Sequence, residues 1–173
     1  MQRSNRWPAL CGFAAAVAAA AWRGSRYNPQ DPETGRWYAS LKKPPFNPPN
    51  AVFPVVWTAL YALIAVSGWR MWQLGDSPER TSALRLWTSQ LIANAEWTRL
   101  FFGERLPTWS LANILCLEAV VVAYIVEARK VDKPAAALFA PYAVWIAFAA
   151  LLNAEIVRRN PAAARLLPRA GIA

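Results

Sequence analysis

The sequence predicts an all-α membrane protein: a bundle of five transmembrane helices with a structured Pro/Trp-rich loop between the first two. Three observations carry this. Hydrophobic residues make up 56% of the 173 residues and charged residues only 17%, a balance foreign to soluble domains. Long apolar runs recur along the chain, separated by short polar turns. There are 10 Trp and 14 Pro, and indoles suit both the lipid–water boundary and the walls of apolar cavities.

The first run, residues 7–23, is Ala-rich and short for a ~30 Å hydrocarbon core. It reads either as a retained helix or as a secretory signal peptide, with Arg3 and Arg6 as its basic region and Ala18–Ala21 as a cleavage site. Residues 23–50 turn polar and then Pro-rich, ending in Pro44, Pro45, Pro48 and Pro49, which fix an extended, stiff path. Trp37, Tyr38, Leu41 and Phe46 give that stretch apolar anchors, so it is an ordered loop or lid rather than a linker. Residues 51–72 form the second span, with Arg70 its one charge. At ~1.5 Å per residue it reaches across a bilayer. Gly75-Asp76-Ser77-Pro78 is a turn. Residues 82–102 are the third span, less apolar because of Arg85, Glu96 and Arg99. Residues 108–128 and 135–157 are the fourth and fifth. Short connections make neighbouring helices antiparallel. One domain thus covers residues 1–160, and a basic tail, residues 161–173, is expected to be disordered.

The formal net charge is +9, but the basic residues lie in short stretches between apolar runs. Arg23–Arg26, Lys42–Lys43 and Arg129–Lys133 read as juxtamembrane anchors rather than a nucleic-acid surface. Histidine is absent, which removes the commonest metal ligand and general base. Cys11 and Cys116 sit inside apolar runs and read as buried small residues, neither a disulfide pair nor a metal site. No nucleotide-binding, nucleophile-elbow or metal-ligand motif occurs.

Helical spacing gathers polar and aromatic residues onto shared faces. Trp57 and Tyr61 are one turn apart. Gln90, Asn94, Trp97, Thr98 and Phe101 form one stripe, and Tyr142, Trp145, Ala149 and Asn153 another. Amides are costly in hydrocarbon, so they turn inward. These stripes either glue helices together or wall a pocket of flat aromatic plates with a few orienting amides. Glu96 and Glu118 are interior acids. Glu96 can pair with Arg99 three residues on, and a proton or ion pathway is the rival reading.

The motifs Trp37-Tyr38-Ala39-Ser40-Leu41, Lys43-Pro44-Pro45-Phe46-Asn47-Pro48-Pro49 and Phe53-Pro54-Val55-Val56-Trp57-Thr58-Ala59-Leu60-Tyr61 closely resemble the signature of the TspO/MBR family. Its members are the tryptophan-rich sensory proteins, also called translocator proteins or peripheral benzodiazepine receptors. Gln90-Leu91, Asn94, Trp97 and Phe101-Phe102-Gly103 resemble its third helix, and Pro141-Tyr142, Trp145, Ala149 and Leu152-Asn153 its fifth. The resemblance runs from about residue 7 to residue 160. It implies five transmembrane helices, pairing as a homodimer, and a pocket for porphyrins or other flat hydrophobic molecules. It also implies a retained first helix. By resemblance, Trp57, Asn94, Trp97, Trp145 and Ala149 line the pocket beneath a lid of residues 37–49. Trp57 and Trp145 match tryptophans linked to light-dependent porphyrin breakdown, which makes them the candidate catalytic residues.

The full candidate ligand-binding set is Trp37, Phe46, Trp57, Tyr61, Gln90, Asn94, Trp97, Phe101, Tyr142, Trp145, Ala149 and Asn153. No obligatory cofactor and no metal is expected; the ligand is a porphyrin, protoporphyrin IX or haem-like. The sequence departs from the family in three places. Phe46 stands where Trp is usual, Arg99 where Pro is common, which implies a straighter, charged end to the third helix, and Ala154 where cholesterol-binding members carry Tyr. The expected function is a porphyrin receptor or regulator of tetrapyrrole handling, with photo-oxidative degradation and transport as the alternatives. The expected setting is a bacterial cell membrane, or the mitochondrial outer membrane if the source is eukaryotic.

Overall fold

The computed structural model describes residues 6–27 and 29–165; Arg3 of the basic region and residues 166–173 of the tail lie outside them. Helix α1 (Arg6–Ser25) is followed by a short α2 (Pro32–Ser40), then α3 (Val52–Trp72) and α4 (Pro78–Thr98). A π-helical turn (Arg99–Gly103) leads to α5 (Pro107–Val131), α6 (Lys133–Arg159) and the single turn α7 (Pro161–Ala164). No strand forms among the described residues, so the all-helical expectation is borne out.

Each helix starts where its chemistry allows. Pro78 and Pro107 stand in the first turns of α4 and α5, where a missing N–H costs nothing. The Ser77 side chain accepts from Arg80 N at 3.1 Å, capping α4. Asp132 alone separates α5 from α6, so those two helices form a tight antiparallel hairpin. Its carboxylate accepts from Arg70 Nε at 2.9 Å and Nη2 at 3.2 Å, tying that hairpin to the end of α3.

The interior is a hydrophobic core, but unlike that of a water-soluble protein the outer face is apolar as well. Val144 is 71% exposed and Ile92 68%, whereas Gln90, Ser67 and Ser110 are fully shielded. Apolar groups outside and amides inside are what hydrocarbon surroundings select. By length and composition α3, α5 and α6 are apolar enough to cross a membrane. Helix α1 is made largely of alanine, a weakly hydrophobic residue, and α4 carries Glu79, Arg80, Arg85 and Glu96. Cys11 and Cys116 both lie on the outer surface, which corrects their reading as buried residues: each sits on the outward stripe of an apolar helix.

Two further expectations change. Residues 23–50 contain a helix, α2, because Asp31 caps it by accepting from Thr34 N at 2.8 Å and Pro32 opens it. The end of α4 is not straighter; it widens into the π turn, closed by Glu104 N donating to Arg99 O at 2.9 Å.

Candidate functional site

One cavity of about 460 Å³ opens among the end of α1, the α2 loop and the facing sides of α3 to α6. Its position follows from the helix stripes. Asn94, Trp97, Thr98 and Phe101 line one wall from α4 and the π turn, Trp57 and Tyr61 another from α3, and Trp145, Ala149 and Asn153 a third from α6. The π turn has a purpose here. It keeps Phe101 turned inward, with its ring stacked on Trp97 at 5.2 Å and 17°.

The rings are held in place by buried amides. Asn153, 1% exposed, accepts from Trp97 Nε1 at 3.1 Å and from Ser110 Oγ at 3.0 Å, and donates to Pro107 O at 2.8 Å. Asn94 donates to Tyr142 Oη at 3.0 Å and accepts from Tyr61 Oη at 3.4 Å. The Trp57 ring lies 5.3 Å from Tyr61 and 6.1 Å from Tyr142. Trp145 meets Phe53 at 5.9 Å. Among the described residues the lining contains no Asp, Glu, Lys or Arg. Such a wall favours a flat, largely apolar molecule oriented by a few amide contacts.

Eight of the twelve candidate residues line this space: Trp57, Tyr61, Asn94, Trp97, Phe101, Trp145, Ala149 and Asn153. The other four do not. Trp37 packs its ring on Phe101 at 5.6 Å from behind, and its neighbour Tyr38 takes the lining position. Phe46 is 45% exposed and leans on Phe148 at 6.5 Å. Tyr142 and Gln90 are fully buried beside the cavity. Sequence reasoning missed the α1 end, where Ala21, Gly24 and Tyr27 complete the wall. Gly24 carried the signal: a Cβ there would stand 3.3 Å from Thr98 Oγ1, so α1 comes close to the α4 stripe.

Arg99 sits with its Nε 3.0 Å from both oxygens of Glu96 and also pairs with Glu104, so the expected Glu96–Arg99 pair forms. Arg105, whose φ of 59° is unusual for a side-chain-bearing residue, reaches Glu33 of α2 at 2.8 Å. Lys43 lies over the Tyr38 ring at 4.2 Å. Burial holds the Lys43 ammonium below its usual range and pushes the Tyr38 phenol up. The loop is also clasped to the end of α6: Lys42 N donates to Asn160 Oδ1 and Asn160 Nδ2 to Lys42 O, each at 3.0 Å. Among the described residues no three acidic or Cys side chains converge on a metal position.

Residues 12–159 match the model of the TspO/MBR family. The chain is 35% identical over 156 residues to a translocator protein of Ovis aries, covering 89% of this chain and 91% of that one. It is 36% identical over 154 residues to a tryptophan-rich sensory protein of Cereibacter sphaeroides, covering 89% and 92%. A tryptophan-rich protein TspO of Archaeoglobus fulgidus is 37% identical over 145 residues, covering 84% and 92%.

Proposed function

This chain belongs to the TspO/MBR family, and from that premise we propose that it is a receptor-like integral membrane protein that binds porphyrins in its aromatic cavity. In this reading all five long helices, α1 and α3 to α6, cross the bilayer, and two copies pair as a homodimer. The protein needs no obligatory cofactor. Its ligand is protoporphyrin IX, a haem-like relative or another flat hydrophobic molecule, and its role is regulation of tetrapyrrole handling. Its Ala- and Arg-rich composition supports a bacterial cell membrane.

The observation that carries the reading is the uncharged cavity of about 460 Å³ with the indoles of Trp57 and Trp145 and the amide of Asn94 in its wall. That volume lies within the range of small-molecule pockets. Flat π-systems stack on indoles, and one such contact contributes about 0.5–1.5 kcal/mol beyond its buried area. Titrating purified protein with protoporphyrin IX should quench its Trp fluorescence. Trp145→Ala, which loses both the stacking and the buried area, should weaken affinity about tenfold or more. An unchanged affinity would sink the assignment.

A second reading draws on the same two indoles. A photo-excited porphyrin lying between oxidisable rings would be degraded with oxygen as co-reactant. The illuminated complex should then bleach faster than that of a Trp57→Phe, Trp145→Phe variant compared at equal occupancy. Equal bleaching rates reject this second activity and leave binding intact.

A further inference from the structure

Deeper in the bundle than Asn94 lies a buried carboxamide that bonds to no other protein group. Gln90 is 0% exposed, and neither its Oε1 nor its Nε2 has a hydrogen-bond partner. A stranded buried polar group is expensive and calls for an explanation. The other four buried polar side chains among the described residues, Ser67, Asn94, Ser110 and Asn153, all have partners. Ser67, for example, joins the Tyr124 hydroxyl at 2.6 Å and donates to Ala135 O at 2.7 Å.

A second orphan falls in the same layer. Glu118 Oε2 is shielded and without a partner. Helices α4 and α5 run antiparallel, and Asn94 and Ile114 both line the cavity. Trp97 of α4 and Ser110 of α5 meet at Asn153 Oδ1, and Gln90 and Glu118 each lie about two turns deeper, so the two residues sit at one depth. Leu117, beside Glu118, lines the cavity, so open space reaches this depth. Tyr142, whose hydroxyl accepts from Asn94, is within electrostatic reach of Glu118. The remaining orphan atom, Asn113 Oδ1, is more than a turn away along α5.

We propose that Gln90 and Glu118 bind an internal water molecule, which extends the Tyr61–Asn94–Tyr142 hydrogen-bond chain of the cavity wall into the core. The chemistry favours water over a cation. The site offers an amide donor as well as oxygen acceptors, and a molecule that both donates and accepts satisfies all of them. The ligand-facing amide of Asn94 is then backed by a hydrated layer rather than by dry core. This inference is independent of which ligand fills the cavity.

X-ray radiolysis in ¹⁸O-labelled water reads the site directly, because hydroxyl radicals formed at a bound internal water label its neighbours. Tyr142 and Tyr124 are both 0% exposed, so exposure alone predicts equal labelling, and any contribution from water in the neighbouring cavity persists in both variants below. The bound water predicts several-fold faster ¹⁸O uptake at Tyr142, with the excess abolished in Gln90→Leu and in Glu118→Leu. Equal uptake in the wild-type protein overturns the proposal, and that comparison stands even if neither variant folds. Thermal denaturation gives a second readout. Gln90→Leu should lower the midpoint if it removes a bridged water, whereas a raised midpoint, the result of replacing a dry orphan amide by an apolar group, overturns the proposal.

Discussion

At the residue scale, Asn153 does more than any other polar side chain to set the cavity wall. Its carboxamide makes three bonds, to Trp97, Ser110 and Pro107, and so holds α4, α5 and α6 at one level. Hydrogen bonds between membrane helices average about 0.6 kcal/mol each. Asn153→Ala should therefore destabilise the bundle by about 2 kcal/mol, because it also leaves the Trp97 N–H short of an acceptor, whereas the Ser110 hydroxyl keeps Pro107 O at 2.9 Å. The thermal midpoint should drop by several degrees at about 2–4 °C per kcal/mol. Emission from Trp97 should broaden as its ring loses its fixed pose. Asn153 was legible in the sequence, since an amide one turn beyond Ala149 and two beyond Trp145 must face inward. Its partners were not, because they lie on helices whose relative rotation no local pattern specifies.

At the scale of elements, the long helices were readable from apolar runs bounded by prolines and charges, and their ends moved by only a few residues. Three elements escaped, the shortest being the single turn α7 (Pro161–Ala164), which opens the tail expected to be disordered because Asn160 and Pro161 start a new turn there. Helix α2 hides in a polar stretch whose only helical signals are the Asp31 cap, Pro32 and the first-turn Glu33, outweighed by the prolines downstream. The π turn at Arg99–Gly103 has no local signature; the inward demand of Phe101 and Phe102 and the Glu96–Arg99–Glu104 ion pairs set it. The cap makes α2 testable. Backbone hydrogen bonding from Thr34 holds the Asp31 carboxyl below its usual range. A depressed acid contributes its stabilisation in full above the ordinary Asp value, about 3.9, and loses it as pH falls through the lowered value. Asp31→Ala should therefore speed proteolytic nicking within residues 32–40 at neutral pH while α3 to α6 stay protected. The difference from wild type should vanish in acid, where the wild-type cap is also lost. Equal nicking at neutral pH would mean that the contacts of Tyr38 with Phe101 and Phe102, and not the cap, hold the lid.

At the scale of the whole molecule, the apolar outer face does the organising. Lipid-facing apolar groups gain little by meeting one another, so close packing and buried hydrogen bonds must hold the bundle. The inward stripes of amides and rings could be read from spacing alone, which is why the polar and aromatic residues that α3, α4 and α6 put into the cavity wall were predictable. The contribution of α1 was not, because an alanine run has no distinctive face. Its docking depends instead on the backbone closeness that a buried glycine on α3 permits. A Cβ on Gly68 would stand 2.5 Å from Trp87 Cε2 and 2.8 Å from Phe13 Cδ1. Trp87 cannot retreat freely, since its Nε1 donates to Ile64 O at 2.9 Å and its ring sits edge-on to Phe13 at 4.8 Å. Gly68→Ala should thus push α1, α3 and α4 apart and cost about 1–3 kcal/mol, seen as a lowered thermal midpoint. Gly12→Ala on α1, where a Cβ meets nothing within 4 Å, should be neutral or stabilise by up to about 1 kcal/mol through helix propensity. If both substitutions behave alike, close packing at Gly68 is not what docks α1 on the bundle. If only Gly68→Ala destabilises, the same variant should also loosen the cavity wall, because Phe13, which meets Gly68, and the cavity-lining Ala21 and Gly24 are carried by one helix.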